Sequence, residues 1–220
     1  MGKRKSNEGK SLQSRILYDD NHIIIVNKLP GEIVQGDKTG DKPLSDSVKE
    51  FLKEKHQKKG NVFLGVVHRI DRPVGGAVIF AKTSKALSRL NKMLQEGKIR
   101  KTYWAVVKQA PKADEGHLVH FLSRNPQKNK STAHNEQQKE RKRAELKYRK
   151  IAKSDHYTLL EIELLTGRHH QIRAQLSKIG CPIKGDLKYG FPRNNKDASI
   201  HLHAIHINFI HPVKNEIINI

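Results

Sequence analysis

Residues 68 to 83, HRIDRPVGGAVIFAKT, set an aspartate among two arginines and a histidine in a polar turn, with an apolar strand directly behind. Arg69 and Arg72 flank Asp71, and nearby positive charge favours an ionised carboxylate. Pro73 cannot donate to a sheet ladder, while Gly75-Gly76 lets a backbone or ligand approach closely. A rigid strand behind the turn would hold the carboxylate ready for chemistry. Read locally, such an aspartate is more often a surface ion pair in a β-turn. A second cluster, TGRHHQIRAQLSKIGCPIKGDLKYG over 166 to 190, crowds Arg168, His169, His170 and Arg173 at the start of a short helix. If one of these arginines is buried it needs a carboxylate or phosphate, and Asp71 is a candidate partner. The alternative is a pair of exposed helix arginines about one turn apart. A third stretch, KTYWAVV over 101 to 107, puts Tyr103 on a strand behind Lys98, Arg100 and Lys101. An aromatic beside basic residues can stack on an extruded base, although a tyrosine here is more often core.

These residues need elements to hold them. Ile23 to Val26 reads as a short buried strand after the turn formers Asp19, Asp20 and Asn21. Ser45 is expected to cap a helix running to about Lys58, with Val48, Phe51 and Leu52 at helical spacing. Strands are expected over 62–67 and 76–82, and Ser84 is expected to cap a helix that ends at Gly97. Further strands are expected over 101–108, 117–122, 145–152 and 157–165, and at least one in 201–220. The second cluster should form a helix over 169–179, with Ile172, Leu176 and Ile179 inward and Gly180 as its stop. The stretch 124–143, RNPQKNKSTAHNEQQKERKR, has almost nothing to bury and reads as an exposed basic loop. Hairpins mixed with isolated helices imply an α+β fold with a mainly antiparallel sheet.

Composition bounds the partner. Against 43 Lys and Arg stand 22 Asp and Glu, a formal charge of +21 on 220 residues. So large a surplus repels itself in the compact state, so a polyanion is expected to neutralise it in use. Nucleic acid is the first candidate, because each neutralised phosphate releases counterions. A membrane is not expected as partner, since no apolar run approaches the ~20 residues of a span. The opening MGKRKSNEGK has no apolar stretch behind its charges and does not read as a secretory signal. The single cysteine, Cys181, forbids an internal disulfide and suits a reducing compartment. The chain is therefore expected to be cytoplasmic. Residues 1–14 are expected to form a flexible basic arm, and 15–220 one catalytic domain.

Together the segments resemble the RluA-type pseudouridine synthases. That family's H-R-L-D-x-x-[ST]-S-G, followed by an apolar strand and A-K, is matched by His68 to Gly76 and then Ala81-Lys82. Its K-x-Y-x-A is matched by Lys101 to Ala105, and its T-G-R-x-H-Q-I-R by Thr166 to Arg173 at every fixed position. Its G-D-x-x-Y-G stands as Gly185 to Tyr189-Gly190, and its L-H-A and H-P as Leu202-His203-Ala204 and His211-Pro212. The resemblance runs from about residue 15 to about 213. Val74 and Gly75 depart from it, because the family carries a hydroxyl residue and then Ser-Gly here. Arg173-Ala174-Gln175-Leu176 also departs from R-V-H-L. The residues before the first motif are too few for the S4-like domain that many relatives carry.

What the resemblance implies is an RNA pseudouridine synthase on the pseudouridine synthase fold, with a central catalytic cleft in a mixed sheet. It needs no cofactor and no metal. Asp71 would be the catalytic carboxylate, Arg173 the cation paired with it, and Tyr103 the residue that stacks on uracil and serves or helps the base at C5. Arg69 would fill the gap left by a flipped nucleotide, with His68 and Arg168 also at the substrate and Ile172 and Leu202 lining the uracil pocket. The partner would be ribosomal or transfer RNA, bound by a monomer. A non-catalytic RNA-binding or ribosome-assembly factor on the same fold is the alternative. A metal protein built on His169-His170 or on His201, His203 and His206 is a third reading, disfavoured because no carboxylate or cysteine lies at a supporting spacing.

Overall fold

The computed structural model describes residues 11–220. The chain runs β1 (Ile16–Asp19), β2 (Ile23–Lys28), α1 (Leu44–Lys55), β3 (Gly65–Val66), β4 (Gly75–Ala81) and α2 (Ser84–Gln95). It continues through β5 (Arg100–Val107), β6 (Glu115–Asn125), β7 (Lys130–His134), β8 (Lys142–Lys153), β9 (Thr158–Leu164), α3 (Gln171–Lys178), β10 (Leu202–Ile210) and β11 (Ile217–Asn219). All eleven strands join one sheet, ordered β1-β2-β4-β10-β5-β9-β8-β6-β7, with β3 added to β4 and β11 to β10. Every pairing is antiparallel except β4 with β10. No helix among the described residues is long and apolar enough to cross a membrane.

The central strands are apolar without alternation because both of their faces are covered. On β2, Ile24 and Val26 join a core with Val48 and Leu52 of α1 and Ile172 and Leu176 of α3. Ile23 and Ile25 face the other way, onto Ala86 and Leu90 of α2. The same division splits β4, with Val78 and Phe80 on the first side and Ala77, Ile79 and Ala81 on the second.

The parallel contact of β4 with β10 is a seam between the two halves of the sheet. It pairs His203 with Gly75 and Ala204 with Gly76, and across β10 Ala204 pairs with Tyr103. Gly76 has φ +119°, and a Cβ there would lie 2.3 Å from the Ala204 carbonyl oxygen, so only glycine fits. At Gly75 a Cβ would lie 2.7 Å from His203 Nδ1. As the two are placed, any side chain at 75 would require the His203 imidazole to move.

Several expectations need correction. The stretch 124–143 is not simply a loop: β6 runs into it, and a turn at Asn129, in the left-handed region at φ 44°, returns the chain as β7. Its inward residues, Ser131 and Ala133, are too small to announce a strand. Ser45 does not cap α1, since Pro43 holds the cap position and the helix ends at Lys55. The cap of α2 is Thr83, whose hydroxyl accepts from the Ala86 N–H, rather than Ser84. Only Gly65–Val66 is strand within 62–67. The expected arm lies outside the described residues as far as position 10. From Ser11 the chain is folded on the domain, with a 3-10 turn over Gln13–Arg15 and Arg15 buried.

Replacing Gly76 with alanine should cost about 3 kcal/mol or more, because left-handed strain adds to a clash with backbone. Urea denaturation checks this, and an unchanged midpoint would refute the account of the seam.

Candidate active site

The turn that carries Asp71 is fastened before any substrate is considered. The Val74 N–H donates to the Asp71 carbonyl at 3.0 Å, and the Gly31 N–H donates to the Arg72 carbonyl at 2.8 Å. Lys28 is fully buried, and its Nζ donates to the carbonyls of Leu29 at 2.9 Å, Glu32 at 2.8 Å and Arg72 at 3.2 Å. Three carbonyls replace the water that a buried ammonium would otherwise lose. Burial still pushes its pKa down to about 8, although the Glu32 and Asp71 charges oppose this. Arg72 itself points away to the 37–41 loop, pairing with Asp41 and donating to Thr39 Oγ1 at 2.8 Å.

Arg173 meets Asp71 across 102 residues of sequence: its Nη1 donates to Asp71 Oδ2 at 3.0 Å. The guanidinium is 5% exposed and its other face is taken by Asp186, which is 1% exposed, through Nε at 2.7 Å and Nη2 at 2.8 Å. Burial alone would lower the Arg173 pKa, but the Asp186 hydrogen bonds and the two carboxylate charges raise it, so the cation is permanent. One guanidinium between two carboxylates leaves the cluster with one net negative charge. That charge is nearest water at Asp71, whose side chain is 25% exposed. Asp71 Oδ1 accepts no hydrogen bond among the described residues.

Helix α3 is held in position by its own motif. Gln171 Oε1 accepts from the Thr166 hydroxyl at 2.8 Å and the Arg168 N–H at 2.9 Å, and its Nε2 donates to the Glu145 carbonyl. Gln175 Nε2 donates to the Leu118 and Ala144 carbonyls, tying the next turn to β6 and β8. Tyr189 supports Arg173 from below, its ring centre 4.8 Å from the guanidinium carbon and 5.1 Å from Lys130 Nζ. Its oxygen accepts the Ser131 N–H at 2.9 Å and lies 2.9 Å from His170 Nδ1. The hydroxyl proton therefore goes to His170 Nδ1, which leaves Nε2–H facing Asp71 Oδ2 at 3.5 Å. His170 sits in the left-handed region at φ 52° and caps the start of α3. Burial, reinforced by the Arg173 charge, pushes its pKa down to about 2, so the ring is neutral.

Of the other expected residues, Tyr103 lies in the same core as Ile172 and Leu202, all buried near the seam. Burial first, then the Asp71 charge, raises its phenol above the ordinary value and keeps it protonated. Arg69 and Arg168 are exposed, and Arg168 Nε donates to the Arg143 carbonyl at 3.0 Å. His68 is turned elsewhere. Its Nε2 accepts the Ile79 N–H of β4 at 3.2 Å, which makes it a support of the sheet. Burial and then Lys101 lower its pKa to about 3. Sequence reasoning gave no role to Lys28, Asp186 or Tyr189, and offered His170 only as a possible metal ligand. The G-D-x-x-Y-G motif marked two of these without saying what they touch. The histidine readings do not converge: His206 Nε2 pairs with Asn219 Oδ1 at 2.7 Å, and no group of three potential metal ligands occurs among the described residues.

The human protein titled RNA Pseudouridylate Synthase Domain Containing 4 shares the fold at a TM-score of 0.80 and 22% identity, covering 94% of this chain and 87% of its own. The RNA pseudouridylate synthase family model matches residues 22–178, and the chain belongs to that family. Ribosomal large subunit pseudouridine synthase C of Buchnera aphidicola subsp. Acyrthosiphon pisum is 35% identical over 94% of this chain and 66% of its own length. The tRNA pseudouridine synthase C of Vibrio parahaemolyticus is 31% identical, over 93% of this chain and 88% of its own. Other curated relatives are spanned over 63 to 69% of their lengths.

The neutral His170 makes stability depend on pH. Its folded pKa is near 2 against an ordinary 6.5, so its stabilising share is complete above 6.5 and is lost as pH falls. The loss should be about 1.4 kcal/mol per pH unit. His170→Asn should remove that much of the slope between pH 6 and 4 in urea titrations. An unchanged slope would mean that the ring is not held neutral.

Proposed function

We propose that this chain isomerises uridine to pseudouridine in RNA, with Asp71 as its essential carboxylate. The observation that carries the reading is the Asp71 carboxylate at the seam, one oxygen held by buried Arg173 and the other without a partner among the described residues. The reaction breaks the N1–C1′ bond of uridine, turns the uracil over and forms C5–C1′. One proton leaves C5 and one arrives at N1, so there is no redox change and no cofactor is called for.

Asp71 acts beside the ribose, where a fixed carboxylate serves best, and Arg173 holds it there without competing for its free oxygen. Tyr103 stacks on the uracil. Because its phenol is neutral, it can take the C5 proton only by releasing its own in the same movement. Ile172 and Leu202 give the base an apolar wall, and Arg69, exposed and next but one to Asp71, fills the stack that the flipped nucleotide leaves. Basic residues of 124–143, of α1 and of the first fourteen residues hold phosphates without reading sequence. The target is ribosomal or transfer RNA, the substrates that the Buchnera and Vibrio relatives are named for. A single domain over 15–220, acting as a monomer in the cytoplasm, completes the reading; the charge and the lone buried Cys181 support it.

Asp71→Asn should abolish tritium release from C5-labelled uridine in RNA while leaving RNA affinity within about threefold. Turnover by this variant would sink the assignment, and a wild-type protein that binds RNA without releasing tritium would be a binding factor. Mapping pseudouridines in total RNA with and without the gene identifies the target. Removing charge at Lys128, Lys130, Arg141 and Arg143 together should flatten the salt dependence of RNA binding by up to about four phosphate contacts. An unchanged slope would take 124–143 out of the RNA surface.

A further inference from the structure

The cleft holds a second, half-buried cation that the pairing around Asp71 leaves without a counter-charge among the described residues. Lys101 stands on β5 two residues before Tyr103, so alternation turns both side chains to the same face of the sheet. It is half-buried, and its neighbours belong to two different motifs. A Cβ placed on Gly167, in the loop entering α3, would lie 3.8 Å from Lys101 Nζ. On another side is His68, at the entry to the Asp71 turn, whose ring is neutral and feels the Lys101 charge as repulsion. Lys101 is thus a cation at the meeting point of the three segments that build the site.

The comparison with Lys28 is the telling one. Lys28 is buried deeper, yet its ammonium has three carbonyl acceptors and two carboxylates acting on it. Lys101 has no acceptor and no ion pair among the described residues. Burial alone acts on its ammonium and lowers its pKa, with no carboxylate raising it. A partly desolvated ammonium without a protein partner is well placed to take an anion that enters the cleft. Beside it, the Gly167 N–H donates to no group among the described residues. An ammonium and an exposed glycine backbone with an unpaired N–H, close together on the face that carries Tyr103, could receive an oxyanion.

We propose that Lys101, with the Gly167 N–H, binds one backbone phosphate of the RNA strand next to the uridine on which Asp71 acts. The proposal rests on the pseudouridine synthase reading and adds a phosphate subsite inside the cleft. Lys101 would fix the register of the strand, so that the flipped base meets Tyr103 and its ribose meets Asp71. Phosphates held by the exposed basic residues would set affinity but not this register.

The test uses the RNA found by pseudouridine mapping, made as a set of oligonucleotides with one phosphate at a time replaced by neutral methylphosphonate. Tritium release and RNA affinity are read for the full-length wild-type protein, Lys101→Met and Lys101→Arg. In the wild type, one position within two nucleotides of the target should lose about tenfold in kcat/KM. Lys101→Met should lose a similar factor on unmodified RNA and nothing further at that position, and its binding slope against salt should fall by about one. Lys101→Arg should recover part of the loss. Should the losses simply multiply at every position, Lys101 does not touch a phosphate and the proposal is overturned. If Lys101→Met does not fold, a wild-type scan with no sensitive phosphate near the target overturns it equally. Wild-type protein that forms no pseudouridine in any RNA would instead defeat the parent reading, and the affinity scan would still decide the phosphate contact.

Discussion

Arg173 is the constraint around which this protein is arranged. A guanidinium that is 5% exposed cannot stay unpaired, because breaking a buried ion pair typically costs about 3–5 kcal/mol. Asp186 meets that need with two hydrogen bonds and is itself almost fully buried, so neither group can leave without stranding the other. The third donor, Nη1, is left over for Asp71. Division of labour follows from geometry: Asp186 fixes the arginine, and the arginine fixes one oxygen of a carboxylate that still faces water. The Tyr189 ring, Gln171 and Gln175 extend this support to β6, β7 and β8.

The same cluster shows how charges of one sign are kept from spoiling the site in a chain of +21. Histidines near it are held neutral, His170 near pKa 2 and His68 near 3, so neither adds a cation in competition for Asp71. Each achieves this by burial and by a definite job: His170 accepts from Tyr189 and turns an N–H toward Asp71, and His68 accepts from β4. Lys28 is a buried cation satisfied by carbonyls, and one of those is the Arg72 carbonyl of the Asp71 turn. The turn is thus clamped from the chain's first motif while its carboxylate is aimed from the last helix.

Much of the site was legible in the sequence. Asp71, Tyr103 and Arg173 were marked only by their motifs occurring together and in order, since each segment read alone favoured an ion pair, a core tyrosine or an exposed helix arginine. The strand β7 was not legible, because its inward positions are only Ser131 and Ala133, and polar neighbours hid the alternation. Caps were misread by a residue or so where Pro43 and Thr83 lie beside the serines that composition favours. The resemblance put His68 at the substrate, but its direction depends on the N–H of Ile79, which no local pattern reveals.

The sequence by itself supplied the residues available, a carboxylate, an aromatic and an arginine in motifs that resemble one family, along with a charge suited to a polyanion. It also determined that Gly76 is glycine, although not why. Only the tertiary structure decided which partners meet. Whether Arg173 is an exposed helix residue or a buried clamp depends on β10 lying between β4 and β5, since that pairing brings the Asp71 turn, Tyr103 and α3 to one seam. Asp186 and Asp71 are equivalent as residue types. Burial and the direction of three guanidinium donors make one an anchor and leave the other free to act.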